Sequence, residues 1–281
     1  MPQTLESMER ALQLAPRDAN TIGEYGVTFV LLRRYAEADV QLKRALAMDA
    51  DVTNAKDFLL MSRLFGAGDL AGARAAFEPP PSWRIASNTI IGGDVIYLIN
   101  PRVYAKVFDR QFDAALRDWD SAPIGSEDDS LSQRVARVAI KLIADDPKSV
   151  QPQCKELKSL LDTQLARNPD SMALLQQASW VDVCLGLNAD AIAAARRAAD
   201  LLPISKDHYY GVYQAEGLAE IEARAGAPDD ALNLIEELLQ IPAGQSMTIE
   251  RLKRDPLWDP LRKDPRFDEL LRHHAADRSS P

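Results

Sequence analysis

Residues 20–50 read NTIGEYGVTFVLLRRYAEADVQLKRALAMDA, and this stretch decides the fold. Its end repeats an earlier segment, because Arg10-Ala11-Leu12 recurs 34 residues later as Arg44-Ala45-Leu46. A fixed period of this length is typical of helical hairpins that stack on one another. Small residues, which let two antiparallel helices approach closely, stand at Gly26, Ala38 and Ala45. Large residues that would fill the gaps around them stand at Tyr25, Phe29 and Leu42. The stretch therefore predicts two antiparallel helices packed as a hairpin.

The spacing of these residues resembles the tetratricopeptide repeat (TPR), in which each repeat is one helical hairpin. Residues 20–50 match nearly every key position, and weaker copies lie at 69–77, 111–122, 186–203 and 226–242. The last hundred or so residues, which include three Asp-Pro steps, also resemble the C-terminal TPR array of many bacterial regulators. Those regulators carry a serine/threonine kinase, an adenylate cyclase or a winged-helix DNA-binding domain. No such effector domain is evident in this sequence.

The resemblance implies an all-α fold, a TPR-like superhelix of antiparallel hairpins with a C-terminal capping segment. The predicted domains are N-terminal hairpins (1–78), degenerate helical repeats (79–168), C-terminal hairpins (169–245), the capping segment (246–275) and a disordered tail (276–281). The side chains predicted to cover the last hairpin are Leu257, Trp258, Leu261, Phe267, Leu270 and Leu271. Residues 82–100 leave helix and strand open, although Asn100-Pro101 is a good start for a helix.

The composition narrows the range of partners. The net charge is −9, the isoelectric point is about 5.0, and no dense run of Lys and Arg appears. Nucleic acid and anionic membranes are therefore disfavoured as partners. The most apolar stretch, 89–99, is about half as long as a membrane-spanning helix, and the polar N-terminus shows no secretory signal. We expect a cytoplasmic protein whose partner is a protein or a peptide.

The sequence offers no clear catalytic site. Residues 66–72 are rich in glycine, but they lack the Lys-Ser/Thr pair of a phosphate loop and fall where a turn between two helices belongs. Carboxylate pairs at 229–230 and 236–237 fall at helix starts or on solvated helix faces. We expect no enzyme activity, no metal and no cofactor.

The histidines and cysteines do not form a recognisable ligand pattern. His208, His273 and His274 have no carboxylate or cysteine at ligand spacing, so they are interpreted as surface residues. Cys154 and Cys184 lie among apolar residues, without the spacing of a metal site or a disulfide framework. They are interpreted as buried thiols in a reducing compartment.

The resemblance also implies which residues face a partner, because the first helix of each hairpin lines the concave surface of such a superhelix. Aligning the copies on their small residues selects Asn20, Glu24 and Val27 in the first full repeat. In the later two repeats it selects Gln176, Trp180, Tyr213, Glu216, Glu220 and Arg224. Aromatic side chains often anchor a partner, but Trp180 and Tyr213 also fit a place in the core between helices.

Two functions from different classes remain open. The first is a non-catalytic interaction scaffold or sensor module that binds a peptide or a helix on its concave face. The alternative is a small-molecule-binding or regulatory module of a signalling system, with its kinase, cyclase or DNA-binding effector elsewhere. The oligomeric state is not indicated by the sequence.

Overall fold

The structure is a computed structural model that describes residues 2–52, 55–76, 95–122, 127–241 and 247–277. All regular secondary structure in these ranges is helical, which confirms the all-α prediction. The chain forms two compact units. Unit 1 comprises Met1–Pro81 and Pro242–Arg251, and unit 2 comprises Ser82–Ile241 and Leu252–Pro281. Among the described helices, none combines the length and the apolar character needed to cross a bilayer.

The helices follow one another with short connections. Those before residue 100 are α1 (Pro2–Leu14), α2 (Ala19–Leu31), α3 (Tyr35–Met48), α4 (Ala55–Met61), α5 (Leu70–Ala75) and α6 (Val95–Ile99). The middle helices are α7 (Pro101–Phe108), α8 (Phe112–Asp120), α9 (Glu127–Ile143), α10 (Gln151–Arg167) and α11 (Met172–Leu185). The last are α12 (Asn188–Leu201), α13 (Tyr210–Arg224), α14 (Pro228–Gln240), α15 (Ile249–Arg254) and α16 (Pro265–Asp277). A π-helical turn (Ser62–Ala67) and 3₁₀ turns at Lys148–Val150 and Pro256–Leu261 complete the described structure.

The hairpin of unit 1 is formed by α2 and α3, as residues 20–50 predict. Gly26 is required at its closest point, because a Cβ there would lie 2.7 Å from Cγ of Leu42 and 3.1 Å from its backbone nitrogen. Ala38 and Ala45 are completely buried at the same contact. Asp18 caps α2 by accepting a hydrogen bond of 2.9 Å from the backbone nitrogen of Thr21.

The glycine-rich stretch 66–72 is a connection between helices, as predicted, and its geometry is a π-helical turn that follows α4. Gly68 ends this turn in the left-handed conformation, with φ of 63°. A Cβ on Gly66 would overlap the ring of Tyr35, so a larger residue does not fit there. Asp69 then caps α5 through the backbone nitrogen of Gly72, at 2.9 Å.

Unit 2 contains two further hairpins, α11–α12 and α13–α14, and α9 and α10 pack in sequence before them. The alanines that align the predicted copies, Ala191 and Ala231, are completely buried. Residues 95–99, which the sequence left open, are helical, and residues 82–94 lie outside the described ranges. The predicted helix start at Asn100-Pro101 is confirmed, because the Asn100 side chain accepts a hydrogen bond of 3.0 Å from the Arg102 nitrogen.

The interpretation of the two cysteines as thiols is wrong. Cys154 and Cys184 are both buried, but they form a disulfide that joins α10 to α11. They are 30 residues apart in sequence, and the packing of the two helices brings their Cα atoms to 6.4 Å. Disulfides persist mainly in oxidising compartments, so this bond opposes the predicted reducing compartment. A cytoplasmic location stays a prediction.

The C-terminal segment buries the apolar side chains predicted for it, except that Leu271 is half-buried. The 3₁₀ turn Pro256–Leu261 packs on α13. The predicted capping segment is divided, because residues up to Arg251 belong to unit 1 and the rest to unit 2. The predicted disordered tail begins too early, since α16 continues to Asp277, and residues 278–281 lie outside the described ranges. The predicted boundaries at 78/79 and 245/246 also lie outside them.

Candidate functional site

The residues predicted to contact a partner in the later repeats are mostly interior. Trp180 is 2% exposed, Tyr213 is 3% exposed, and Glu216 and Glu220 are 0% exposed. The alternative weighed for Trp180 and Tyr213, a place in the core, is therefore the one that the structure shows. A partner would reach these side chains only if the interior opened. Their role in binding stays a prediction, and the surface that they were expected to form is not exposed.

The buried face of α13 is polar, and its groups bind other parts of unit 2. Oε2 of Glu220 accepts a hydrogen bond of 2.9 Å from the backbone nitrogen of Val95, the first residue of α6. A carboxylate is favourable at this end of a helix, where backbone nitrogens lack partners. Gln176 of α11 donates a hydrogen bond to Gln214 of α13. These contacts give Glu220 and Gln176 structural partners within the unit.

Arg224, at the end of α13, binds backbone carbonyls. It donates to the oxygen of Leu142 in α9 at 2.9 Å and to the oxygens of Pro256 and Leu257, each at 3.1 Å. Burial lowers the pKa of the Arg224 guanidinium, and the negative charges of neighbouring groups, which include Asp255, oppose that effect. The predicted partner-binding arginine thus ties three segments of unit 2 together.

A second set of polar contacts fixes the 3₁₀ turn Pro256–Leu261. The hydroxyl of Tyr104 donates to Oδ2 of Asp255 at 2.7 Å, and Oδ1 of Asp255 caps the turn at Leu257. Arg110 makes a two-bond contact with Asp259, at 2.6 and 2.8 Å. Burial raises the pKa of Asp259, but hydrogen bonds from Arg110 and Arg262 outweigh it and hold that pKa below its ordinary value. These groups position the capping turn and are held too firmly to act as free acids or bases.

The first repeat differs, because two of its predicted residues are exposed. Asn20 and Glu24 lie on the solvent side of α2, whereas Val27 is 8% exposed. Asn20 and Glu24 are four residues apart and therefore share one face of the helix. Between Ile22 and Val30, the other residues of α2 are buried. Asn20 and Glu24 therefore form a short polar stripe, called here the α2 stripe, on a helix that is otherwise packed.

One cluster was missed by the sequence analysis. His273 and His274 do have a carboxylate nearby, since Oε1 of Glu236 lies 2.9 Å from Nε2 of His274. Glu236 is on α14 and the two histidines are on α16, and only the packing of these helices brings the three together. No spacing rule in the sequence connects residues separated by this length of chain.

No protein-family model matches this chain, and no curated protein is significantly similar to it.

Proposed function

We propose that the chain is a non-catalytic protein-binding module of the tetratricopeptide type. We further propose that it holds a peptide or helix through the α2 stripe, Asn20 and Glu24. The observation that carries this proposal is the combination of close hairpin packing with two exposed polar side chains on the inner helix of the best repeat copy. The predicted residues of the later repeats, by contrast, are mostly engaged within unit 2.

The packing of α2 favours binding because it holds the stripe rigid. Gly26 lies directly against Leu42, and Ile22 and Val30 are completely buried, so the helix has little freedom to move. Side chains on a rigid helix lose little conformational freedom when a partner binds. The stripe therefore offers a surface whose ordering cost has already been met by folding.

Charge indicates the kind of partner. Glu24 is exposed and acidic, and the whole chain carries a net charge of −9. A partner with basic side chains would be attracted over a distance and would pair with Glu24 at the surface. We therefore propose a peptide or helix rich in Lys or Arg. The charged side chains of α13 support a non-catalytic role, because Glu220 and Arg224 bind backbone groups of their own unit.

The test compares two variants with the same change in charge. Binding of labelled Lys/Arg-rich helical peptides is measured by fluorescence anisotropy for the wild type, Glu24→Lys and Glu6→Lys. Glu6 is an exposed residue of α1 in the same unit. We expect Glu24→Lys to weaken binding about fivefold or more, which corresponds to roughly 1 kcal/mol for a surface charge pair. Glu6→Lys should stay within about twofold of the wild type.

Two results would contradict the proposal. The first is that none of the basic peptides binds the wild type. The second is that Glu24→Lys and Glu6→Lys weaken binding equally, because the effect would then reflect net charge and not the α2 stripe. Circular dichroism of each variant should confirm that the helices are intact.

A further inference from the structure

Glu236, His273 and His274 bring three metal-ligating side chains to one place on unit 2. One carboxylate oxygen and one ring nitrogen from each histidine all lie within 4.8 Å of one another. The closest pair is Oε1 of Glu236 and Nε2 of His274, at 2.9 Å. The two imidazole rings meet edge to face, with centroids 5.2 Å apart. The cluster is formed by two helices, so it depends on the fold and not on local sequence.

The supporting residues hold the cluster in place. Nε2 of Gln240, one turn further along α14, donates to Oε1 of Glu236 at 3.4 Å. The side chain of His274 is only 12% exposed, and that of Glu236 is 36% exposed. His273 is exposed beside them. The cluster therefore has two ordered ligands at the edge of the interior and a third that can turn towards them.

The cluster borders an open recess of about 350 Å³ between α14 and α16, lined by Leu232, Asn233, Glu236, Arg266, Glu269, Leu270 and His273. This space is large enough for a bound ion together with water molecules. Glu269 adds negative charge at the rim. Arg266 is the nearby cation, and it is paired with Asp229 at 2.6 Å and with Asp264 at 2.5 Å. Its charge is thereby largely offset.

We propose that Glu236, His273 and His274 bind a divalent transition-metal ion of the zinc class. Two imidazoles and one carboxylate suit Zn²⁺, Ni²⁺ and Cu²⁺, whereas Mg²⁺ and Ca²⁺ require sets of oxygen ligands. Metal–nitrogen and metal–oxygen bonds of about 2.0–2.2 Å need the ligand atoms somewhat closer than they now are. Rotation of the exposed His273 side chain supplies that movement. Three protein ligands leave a fourth position for water or for a group from a partner.

Metal binding replaces the contact between Glu236 and His274. If Nε2 of His274 carries the proton in that contact, the proton leaves this nitrogen when the metal binds there, and both side chains then coordinate the ion. Protonation of His273 or His274 competes with the metal, so affinity should fall as the pH is lowered through the range in which histidine titrates. Glu236 and Glu269 favour the cation at all higher pH values, and the paired Arg266 opposes it weakly.

The test uses the full chain after treatment with a chelator. Zn²⁺ is titrated against it in competition with a chromophoric zinc indicator, and Mg²⁺ serves as the negative ion. We expect one Zn²⁺ per chain, weaker binding of Co²⁺ and Mn²⁺ in that order, and none of Mg²⁺. Glu236→Gln and His274→Asn should each weaken Zn²⁺ binding about tenfold or more. The matched controls are Glu237→Gln, at the next position of α14, and His208→Asn, at the remaining histidine, and both should bind as the wild type does.

Two outcomes would overturn the proposal. One is the absence of saturable binding at one ion per chain. The other is wild-type affinity in both Glu236→Gln and His274→Asn, because the ion would then lie elsewhere. If either variant fails to fold, His273→Asn decides the matter, since His273 is exposed and its loss should weaken Zn²⁺ binding while the melting temperature without metal is unchanged.

Discussion

Glu222 on α13 is a buried carboxylate with one partial partner. It is 2% exposed, and its Oε1 lies 2.8 Å from Arg196, whose own side chain is half in solvent. Its Oε2 is buried and has no hydrogen-bond partner among the described residues. Burial raises the pKa of Glu222 to about 7; the charge of Arg196 lowers it and the charge of Asp230 raises it further. The folded chain therefore keeps a proton on Glu222 that the unfolded chain releases at lower pH.

This difference predicts that stability falls as the pH rises. The unfolded carboxyl titrates near 4.5 and the folded one near 7, so the folded state binds more protons between these values and loses relative stability across them. The expected loss is roughly 2–3 kcal/mol of unfolding free energy from pH 4.5 to pH 7.5. Glu222→Gln should remove this loss and be the more stable protein at pH 8. Urea unfolding at a series of pH values measures both effects.

A control separates Glu222 from other acids. Burial also raises the pKa of Asp182, so the wild type has a second contribution of the same sign at lower pH. The difference between wild type and Glu222→Gln isolates the one residue. Glu237→Gln makes the same change at an exposed position of α14 and should keep the wild-type profile. An unchanged pH slope in Glu222→Gln would show that its carboxyl is not desolvated as the structure indicates.

At the scale of helices, the sequence predicts what depends on local spacing. The hairpins α2–α3, α11–α12 and α13–α14 follow from small residues at Gly26, Ala191 and Ala231, because close helix contact requires small side chains at regular positions. The helix start at Asn100-Pro101 follows from capping chemistry. In each case, the cause of the structure lies within about one repeat of the residue that signals it.

The contacts that the sequence does not predict come from distant segments. Glu220 was expected at a partner surface, but the backbone of Val95, far away in sequence, takes its place there. Arg224 likewise binds carbonyls at Leu142 and Pro256. Repeat alignment shows which side of a helix a residue is on, but not which segment of the same chain will cover that side. The cluster of Glu236 with the C-terminal histidines was missed for the same reason.

The pairing of α10 with α11 gives a prediction at this scale, because Cys154 and Cys184 join the two helices. A cross-link over 30 residues restricts the unfolded chain and contributes about 3–4 kcal/mol in the chain-entropy model. Cys154→Ala combined with Cys184→Ala should lower the unfolding free energy of unit 2 by about that amount. Denaturant unfolding with and without a reducing agent measures it. A thiol assay should find free thiols in the unfolded wild type only after reduction.

The double variant is its own control, since a reducing agent should not change its stability. If the unreduced wild type already shows two reactive thiols and is insensitive to reduction, the cysteines are the buried thiols that the sequence suggested. The reducing compartment would then regain its support.

At the scale of the whole molecule, the two units draw on the C-terminal segment separately. In unit 1, the hydroxyl of Thr248 donates to the carbonyl of Phe65 at 2.7 Å, and the guanidinium of Arg251 lies 5.0 Å from the centroid of the Phe65 ring. In unit 2, Trp258 and Leu257 are completely buried. Deleting everything after residue 245 would therefore damage both units at once. A single substitution distinguishes them better.

Trp258→Ala should destabilise unit 2 and leave unit 1 unchanged. Truncating a completely buried tryptophan costs about 3–5 kcal/mol, and the 3₁₀ turn that carries it packs on α13. Hydrogen exchange should show lower protection in α13 and α14, with α2 and α3 as in the wild type. Trp258→Phe is the matched control: it keeps a buried ring and removes an indole nitrogen that has no hydrogen-bond partner among the described residues. Its cost should be clearly smaller than that of alanine. Equal loss of protection in α2 and α13 would contradict the expectation, because the chain would then unfold as one cooperative body, whereas unchanged protection in α13 would show that the C-terminal turn does not cap that hairpin.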